Sequence, residues 1–331
     1  MKTPSLPPRP LRILVNTGLS ASAEALLREG AAPHEVVISG RASNVLSSSA
    51  DTLDECDIAF GQPDAASVLA SGRLRWVQLT SAGYTRYDTP EFRVAVKERG
   101  IALSNSSSVY DEPCAEHVMA FILAGARQFP RALSLQCSSS TPEWQALRDS
   151  CRLLRGQRLL ILGYGAIGKR LVEMLAPWGV SVTGYRRTSR GDEAVPVISH
   201  DTPGALAAAL AQADHVVNIL PANPATRHFM DAGRFAQMKP GASFYNIGRG
   251  TTVDQEALAA ALQSGRLAAA WLDVTDPEPL PPGHPLLALE NCHITPHVGG
   301  GQGNEKEALV RHFLENLHRL LRGEALLDRV M

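Results

Sequence analysis

The chain has 331 residues, 44% of them hydrophobic and 20% charged, an ordinary globular balance that excludes a disordered, collagenous or coiled-coil polymer. That length suits about two domains. Lys and Arg (32) nearly cancel Asp and Glu (33), leaving a net charge of −1, which argues against nucleic acid and for a small-molecule partner.

The apolar stretches, such as 118–126, fall well short of the ~20 residues that span a bilayer. Residues 1–10 lack the apolar core of a signal peptide and are expected to form a frayed tail. Cys56, Cys114, Cys137, Cys151 and Cys292 are scattered without a Cys-x-x-Cys pair. Neither a disulfide framework nor a metal site is expected from them, and reduced thiols in a cytoplasmic protein are.

Short β-branched runs alternate with Ala- and Leu-rich helical stretches, which predicts βαβ units and parallel sheets. The first series has a strand at 12–16, a helix at 21–28 and strands at 34–39, 56–61, 75–80 and 101–104. The small polar run Ser104-Asn105-Ser106-Ser107-Ser108 is expected to serve as a hinge. A long helix is predicted over 111–127, because Asp111-Glu112-Pro113 suits a helix N-terminus: carboxylates favour the positive dipole end, and proline loses no bond in the first turn. After a Ser-rich stretch at 137–142, a second series begins at 158–162 and continues with strands at 181–185, 215–220, 243–247, 268–274 and 292–295. An amphipathic helix over 304–322 closes the chain. Two such series predict an α/β protein of two doubly wound parallel-sheet lobes with a cleft between them.

Gly163-Tyr164-Gly165-Ala166-Ile167-Gly168 follows an apolar strand and precedes a helical stretch, the setting a dinucleotide loop requires. Gly163 permits the tight turn, Gly165 lets backbone approach a pyrophosphate, and Gly168 lets helix pack on strand. The anion would meet the N–H groups that open the helix, around Ala166 and Ile167. An NAD site usually ends the next strand with an acid for the ribose 2′-hydroxyl. Here Arg186-Arg187-Thr188-Ser189-Arg190 stands in that place. Guanidinium forks and a hydroxyl suit an extra 2′-phosphate, so NADP is expected over NAD. A solvated basic loop is the plainer alternative.

Three further segments put one titratable or charged group each at a strand end, where open α/β sheets bind ligands. They are Asn246-Ile247-Gly248-Arg249-Gly250, Asp273-Val274-Thr275-Asp276-Pro277-Glu278 and Thr295-Pro296-His297-Val298-Gly299. With Ser81-Ala82-Gly83-Tyr84, Ala115-Glu116-His117, the glycine loop and Met238-Lys239-Pro240-Gly241, these segments resemble the D-isomer-specific 2-hydroxyacid dehydrogenase family, from about residue 11 to the C-terminus. Residues 272–287 and the Arg-rich loop are most similar to its NADPH-using glyoxylate/hydroxypyruvate reductases.

The resemblance implies a flavodoxin-like substrate-binding lobe, residues 1–105 with 300–331, and a Rossmann nucleotide-binding lobe, residues 106–299, closing over the substrate. It implies a catalytic trio of Arg249, Glu278 and His297. A protonated His297 would donate to the carbonyl oxygen of a 2-oxo acid as hydride reaches its carbon, and imidazoles ordinarily titrate near pH ~6.5, which suits this task. Glu278 would orient the imidazole, and Arg249 would hold the substrate carboxylate and polarise the carbonyl. Backbone amides around Ser81, Ala82 and Gly83 would hold the carboxylate from the other lobe. Leu220, Pro221, Ile247 and Gly248 are implied to flank the nucleotide, with Asp273 near the nicotinamide carboxamide and His297 and Gly299 near the ring. Asp276 competes with Glu278 for the carboxylate role, His117 and Glu116 are expected to be structural, and Asp254 is read as the N-cap of a helix over 255–263.

The resemblance also implies a homodimer built on the nucleotide lobe, which Trp144 would help to form. No Lys stands in the 81–83 loop, against a phosphite-oxidising relative, and no regulatory domain is expected after the last helix. The favoured expectation is NADPH-dependent reduction of glyoxylate or hydroxypyruvate to the D-hydroxy acid. The alternatives are an NAD-dependent dehydrogenase of bulkier D-2-hydroxy acids and a non-catalytic nucleotide sensor like the co-repressors that share this architecture.

Overall fold

A computed structural model describes residues 7, 9–39, 53–135, 141–189, 191 and 193–331. Cys137, Arg190 and most of the expected N-terminal tail lie outside the described residues. The chain forms two units, Met1–Tyr110 with Gln302–Met331, and Asp111–Gly301.

In the first unit the strands are β1 (Arg12–Asn16), β2 (Glu35–Ile38), β3 (Ile58–Gly61), β4 (Trp76–Leu79) and β5 (Ala102–Ser104), all parallel and ordered β2-β1-β3-β4-β5. The helices of this series are α1 (Ala21–Gly30), α2 (Ala65–Ala70) and α3 (Pro90–Glu98). Side chains alternate between the faces of a strand. Ile13, Val15, Phe60 and Trp76 accordingly meet α1 and the closing helix on one face, where Phe313 stacks on the Trp76 ring at 5.1 Å. Leu14, Ala59, Val77 and Leu79 pack on the other face against Phe92 and Val96 of α3. Both faces are covered, so β3 and β4 are buried along their whole length.

The long helix α4 spans Ser107–Ala126, and Pro113 lies inside it rather than at its start. Proline removes one helical bond, to the carbonyl four residues back. That carbonyl, of Val109, instead accepts from Gln302 Nε2 at 3.1 Å, so the helix runs through the proline and absorbs part of the expected hinge. The division between the units therefore falls inside α4, after Tyr110, five residues beyond the expected 105.

In the second unit α5 (Phe129–Leu135) and α6 (Pro142–Ser150) precede β6 (Arg158–Leu162), α7 (Ala166–Leu175), β7 (Ser181–Arg186) and β8 (Val197–Ser199). Then come α8 (Ala205–Gln212), β9 (His215–Asn218), α9 (Ala232–Gln237), β10 (Ala242–Asn246), α10 (Gln255–Gln263), β11 (Leu267–Leu272) and β12 (Cys292–Ile294). The sheet is parallel and ordered β12-β11-β10-β9-β6-β7-β8, the doubly wound arrangement whose order reverses between β6 and β9. Asp254 caps α10 by accepting from Ala257 N at 3.0 Å. The amphipathic α11 (Glu305–Leu321) belongs to the first unit. Among the described residues no helix is long and apolar enough to cross a membrane.

His215, buried at the start of β9, has Nδ1 2.9 Å from the Tyr245 hydroxyl and Nε2 against Gln157 Oε1. An amide oxygen only accepts, so Nε2 carries the proton and Nδ1 accepts from Tyr245. Burial pushes this imidazole down from 6.5 to about 4. Between those values the unfolded chain binds a proton that the folded one refuses, so stability falls as pH drops through the window, by on the order of 3 kcal/mol. In urea melts, the loss of unfolding free energy between about pH 7 and pH 4 should shrink by that amount in His215→Gln. An unchanged acid limb would contradict the assignment.

Candidate active site

The glycine loop leaves β6 at Gly163, whose φ of +95° is open to glycine, and where an added Cβ would lie 2.9 Å from the Ile219 carbonyl carbon. The Gly163 and Tyr164 amides both donate to the Tyr185 carbonyl, at 2.9 and 3.0 Å. Gly165 is the N-cap of α7 and offers no side-chain acceptor to its first turn. Among the described residues beyond its chain neighbours, the nearest atom to its missing Cβ is the Gly163 carbonyl oxygen at 4.0 Å, which leaves room beside the positive end of the helix. At Gly168 a Cβ would sit 3.2 Å from Ile161 Cγ2, which is the tight packing of α7 on β6. These features fit the pyrophosphate of a dinucleotide.

The strands facing this loop stop short of their expected ends. β9 ends at Asn218 and β10 at Asn246, where Asn218 Nδ2 donates to Asn246 Oδ1 (3.0 Å) and to Thr252 Oγ1 (2.7 Å). Beyond them Leu220–Pro221 and Ile247–Gly248 run as loops in contact, since a Cβ on Gly248 would meet Leu220 O at 2.7 Å. Apolar residues past a strand end read as strand in the sequence; here they line the carboxyl edge of the sheet.

The Arg-rich loop differs from its reading in one respect. Arg186 ends β7, and Arg187, Thr188 and Ser189 follow on the surface. No acid ends the strand, as expected, but the structure sets Glu193 against Arg186, Oε1 lying 3.4 Å from Nη1. The reading missed Glu193 because it looked for an acid at the strand end, and this one returns seven residues later.

His297 and Glu278 are joined directly: Nδ1 lies 2.6 Å from Oε1, with both side chains nearly half exposed. A carboxylate accepts only, so Nδ1 carries a proton and Nε2 points away from Glu278. Glu278 Oε2 also accepts from Thr275 N at 3.2 Å. Asp276, the competing acid, is fixed instead through its backbone, its N–H donating to Gln255 Oε1 at 3.1 Å.

His297 has a positive φ of 52°, a strained backbone state for a side chain with a Cβ. The buried Asp273 holds it there. Its carboxylate accepts from Thr295 Oγ1 at 2.6 Å, Val298 N at 2.9 Å and Gly299 N at 2.8 Å, so the turn carrying the imidazole is wrapped around one anion. A Cβ on Gly299 would come 2.7 Å from that carboxylate. His117 Nε2 lies 3.2 Å from Thr295 Oγ1 and so buttresses the same turn. Sequence reasoning placed Asp273 beside the nicotinamide and did not see this clamp.

Arg249 follows β10, its carbonyl accepting from Asn246 Nδ2 (3.2 Å) and Thr252 Oγ1 (2.7 Å). Next to it, a Cβ on Gly250 would fall 2.0 Å from the Thr275 backbone, so the Arg249 loop presses on the segment that leads to Glu278. Burial pushes the half-buried Cys114 thiol up to about 12, with the charge of Asp273 adding to the effect and that of Arg249 opposing it. The strand ends thus gather an imidazole with its acid, a guanidinium and a glycine cradle on one edge of one sheet.

In the other unit the 81–83 loop is held by its carbonyls. Asn105 Nδ2 donates to Ala82 O (2.6 Å), Ser106 N to Ser81 O (3.0 Å) and Ser81 Oγ to Gly83 O (2.6 Å). Gln62 Nε2 donates in turn to Ser81 Oγ at 2.8 Å. The loop's amide groups are donors of the kind a carboxylate accepts.

A profile of the D-isomer specific 2-hydroxyacid dehydrogenase NAD binding domain matches residues 119–299. The chain belongs to this family. It is 34% identical to the glyoxylate reductase/hydroxypyruvate reductase of Mus musculus over 258 residues, 78% of this chain and 77% of that one. A D-isomer specific 2-hydroxyacid dehydrogenase from Xanthobacter autotrophicus Py2, solved with NADPH and MES, is 27% identical, with a TM-score of 0.78 over 98% of each chain. The NADPH-dependent glyoxylate/hydroxypyruvate reductase of Sinorhizobium meliloti, solved with NADP and malonate, is 25% identical, with a TM-score of 0.71 over 97% of each chain. As a D-2-hydroxyacid dehydrogenase the protein is an NAD(P)-dependent oxidoreductase, and its Gly163–Gly168 loop lies in the matched NAD binding domain.

Proposed function

We propose that this dehydrogenase reduces a small 2-oxo acid, glyoxylate or hydroxypyruvate, with NADPH, giving the D-hydroxy acid where a stereocentre forms. The observation that carries the reading is the 2.6 Å His297–Glu278 pair, on a turn anchored by Asp273 and beside the Arg249 loop. The bound nicotinamide supplies the hydride to the keto carbon.

Negative charge then grows on the carbonyl oxygen, and His297 delivers the proton to it from Nε2. Glu278 keeps Nδ1–H fixed and stabilises the imidazolium before the transfer. Arg249 offers planar donors to the substrate carboxylate and draws charge toward the carbonyl. Ser81, Ala82 and Gly83 are assigned to the same carboxylate on family resemblance, as are Leu220, Pro221, Ile247, Gly248, Asp273 and Gly299 to the nucleotide. The NADP assignment is supported by Arg186, Arg187 and Thr188 after β7 and by the cofactors named for the Xanthobacter and Sinorhizobium proteins.

A panel of 2-oxo acids assayed with NADPH and NADH tests the reading. Turnover should be fastest with hydroxypyruvate or glyoxylate and NADPH. Preference for branched or aromatic acids with NADH would replace it, and cofactor binding without any turnover would point to a nucleotide sensor.

A further inference from the structure

Glu193 has a side chain only 4% exposed, beside an Arg186 that is 19% exposed. A carboxylate so buried needs partners. Among its partners, Ser189 Oγ donates to Oε2 at 3.0 Å and Gly191 N at 2.9 Å, both from the loop after β7, and Arg186 Nη1 at the end of β7 lies 3.4 Å from Oε1. A hydroxyl, a backbone N–H and a guanidinium are also the donors that a phosphate monoester takes. In β7 Arg186 directly follows Tyr185, whose carbonyl accepts from the Gly163 and Tyr164 amides of the glycine turn, so the carboxylate's partners adjoin the nucleotide-binding turn.

We propose that Glu193 is a specificity-determining residue that fills the 2′-phosphate subsite of the free protein with its own carboxylate, so that NADP binds by displacing it. This rests on the NADP reading and adds a sign to it. By sequence, residues 186–193 carry Arg186, Arg187 and Arg190 against Asp192 and Glu193. A phosphate of about −1.5 to −2 charge must take over donors already engaged and settle near the carboxylate it displaces. A ribose 2′-hydroxyl brings no charge and leaves the carboxylate where it is. Glu193 therefore weakens discrimination in favour of NADP that the arginines alone would give.

The test uses fragments that lack the nicotinamide, adenosine 2′,5′-bisphosphate and AMP, titrated calorimetrically into the intact protein and into Glu193→Gln. Glutamine keeps the shape and one acceptor oxygen for Ser189 and Gly191 but drops the charge. The bisphosphate should bind Glu193→Gln about five- to tenfold tighter, with AMP changed less than about twofold. Parallel changes in the two ligands, or weaker bisphosphate binding, overturn the proposal. Should the variant not fold, the amide resonance of Gly191 in the unmodified protein decides: it should move with the bisphosphate and stay with AMP, and equal responses overturn the proposal. The fragment preference of the unmodified protein tests the NADP reading separately, because a preference for AMP there would remove that reading whatever Glu193→Gln does.

Discussion

His297→Ala is expected to lower kcat for reduction of the preferred 2-oxo acid by roughly 10²–10⁴-fold, the usual range for loss of a positioned general acid, with NADPH affinity changed less than about twofold. The imidazole is held from both sides, by Glu278 at Nδ1 and by the Asp273 clamp under its backbone. Neither restraint binds the cofactor's adenosine end, so the loss should appear in kcat. The positive φ of 52° calls for a control, because any replacement must accept it. His297→Asn meets that need, since asparagine enters the left-handed region readily but supplies no proton. Both variants should be equally slow, and a fast His297→Asn would move the proton donor elsewhere. Glu278→Gln should keep a hydrogen bond to the ring yet lose the charge that stabilises the imidazolium, and fall between them and the parent enzyme.

Arg249→Lys is expected to lower kcat/KM by about 10²–10³-fold, the equivalent of roughly 3–4 kcal/mol for a charged pair of hydrogen bonds exchanged for a point charge. The loop should survive the change. Its carbonyl is fixed by Asn246 and Thr252, and Gly250 packs on Thr275 through backbone alone. An unaltered melting temperature with a collapsed kcat/KM is the expected signature. Because the guanidinium is assigned to both carboxylate binding and carbonyl polarisation, KM should rise and kcat should fall. A change confined to KM would restrict Arg249 to binding.

The strand starts were legible because buried parallel strands are short β-branched runs, and β1 and β6 fall where the pattern ends in polar or glycine residues. Strand ends were less so. Ile247 and Val274 continue the apolar pattern after the ladder has stopped, because loops at the carboxyl edge are as apolar as the strands they leave. The start of α4 was hidden by Pro113, whose cost depends on a side chain, Gln302, far along the chain. β8, three residues at a sheet edge, is too short to show a period. At the site, Glu278 and His297 were chosen through the family resemblance of two separate segments, and the structure sets the two side chains 2.6 Å apart. Asp273 as the clamp of the histidine turn and Glu193 as the partner of Arg186 depend on where loops fold back, and loop geometry leaves no periodic trace in sequence.

The most direct measurement mixes the protein with equimolar NADPH and excess hydroxypyruvate, follows nicotinamide absorbance and resolves the product on a chiral column. One D-glycerate should form for each NADPH oxidised. Stable absorbance with cofactor bound, or L-glycerate as the product, would contradict the account.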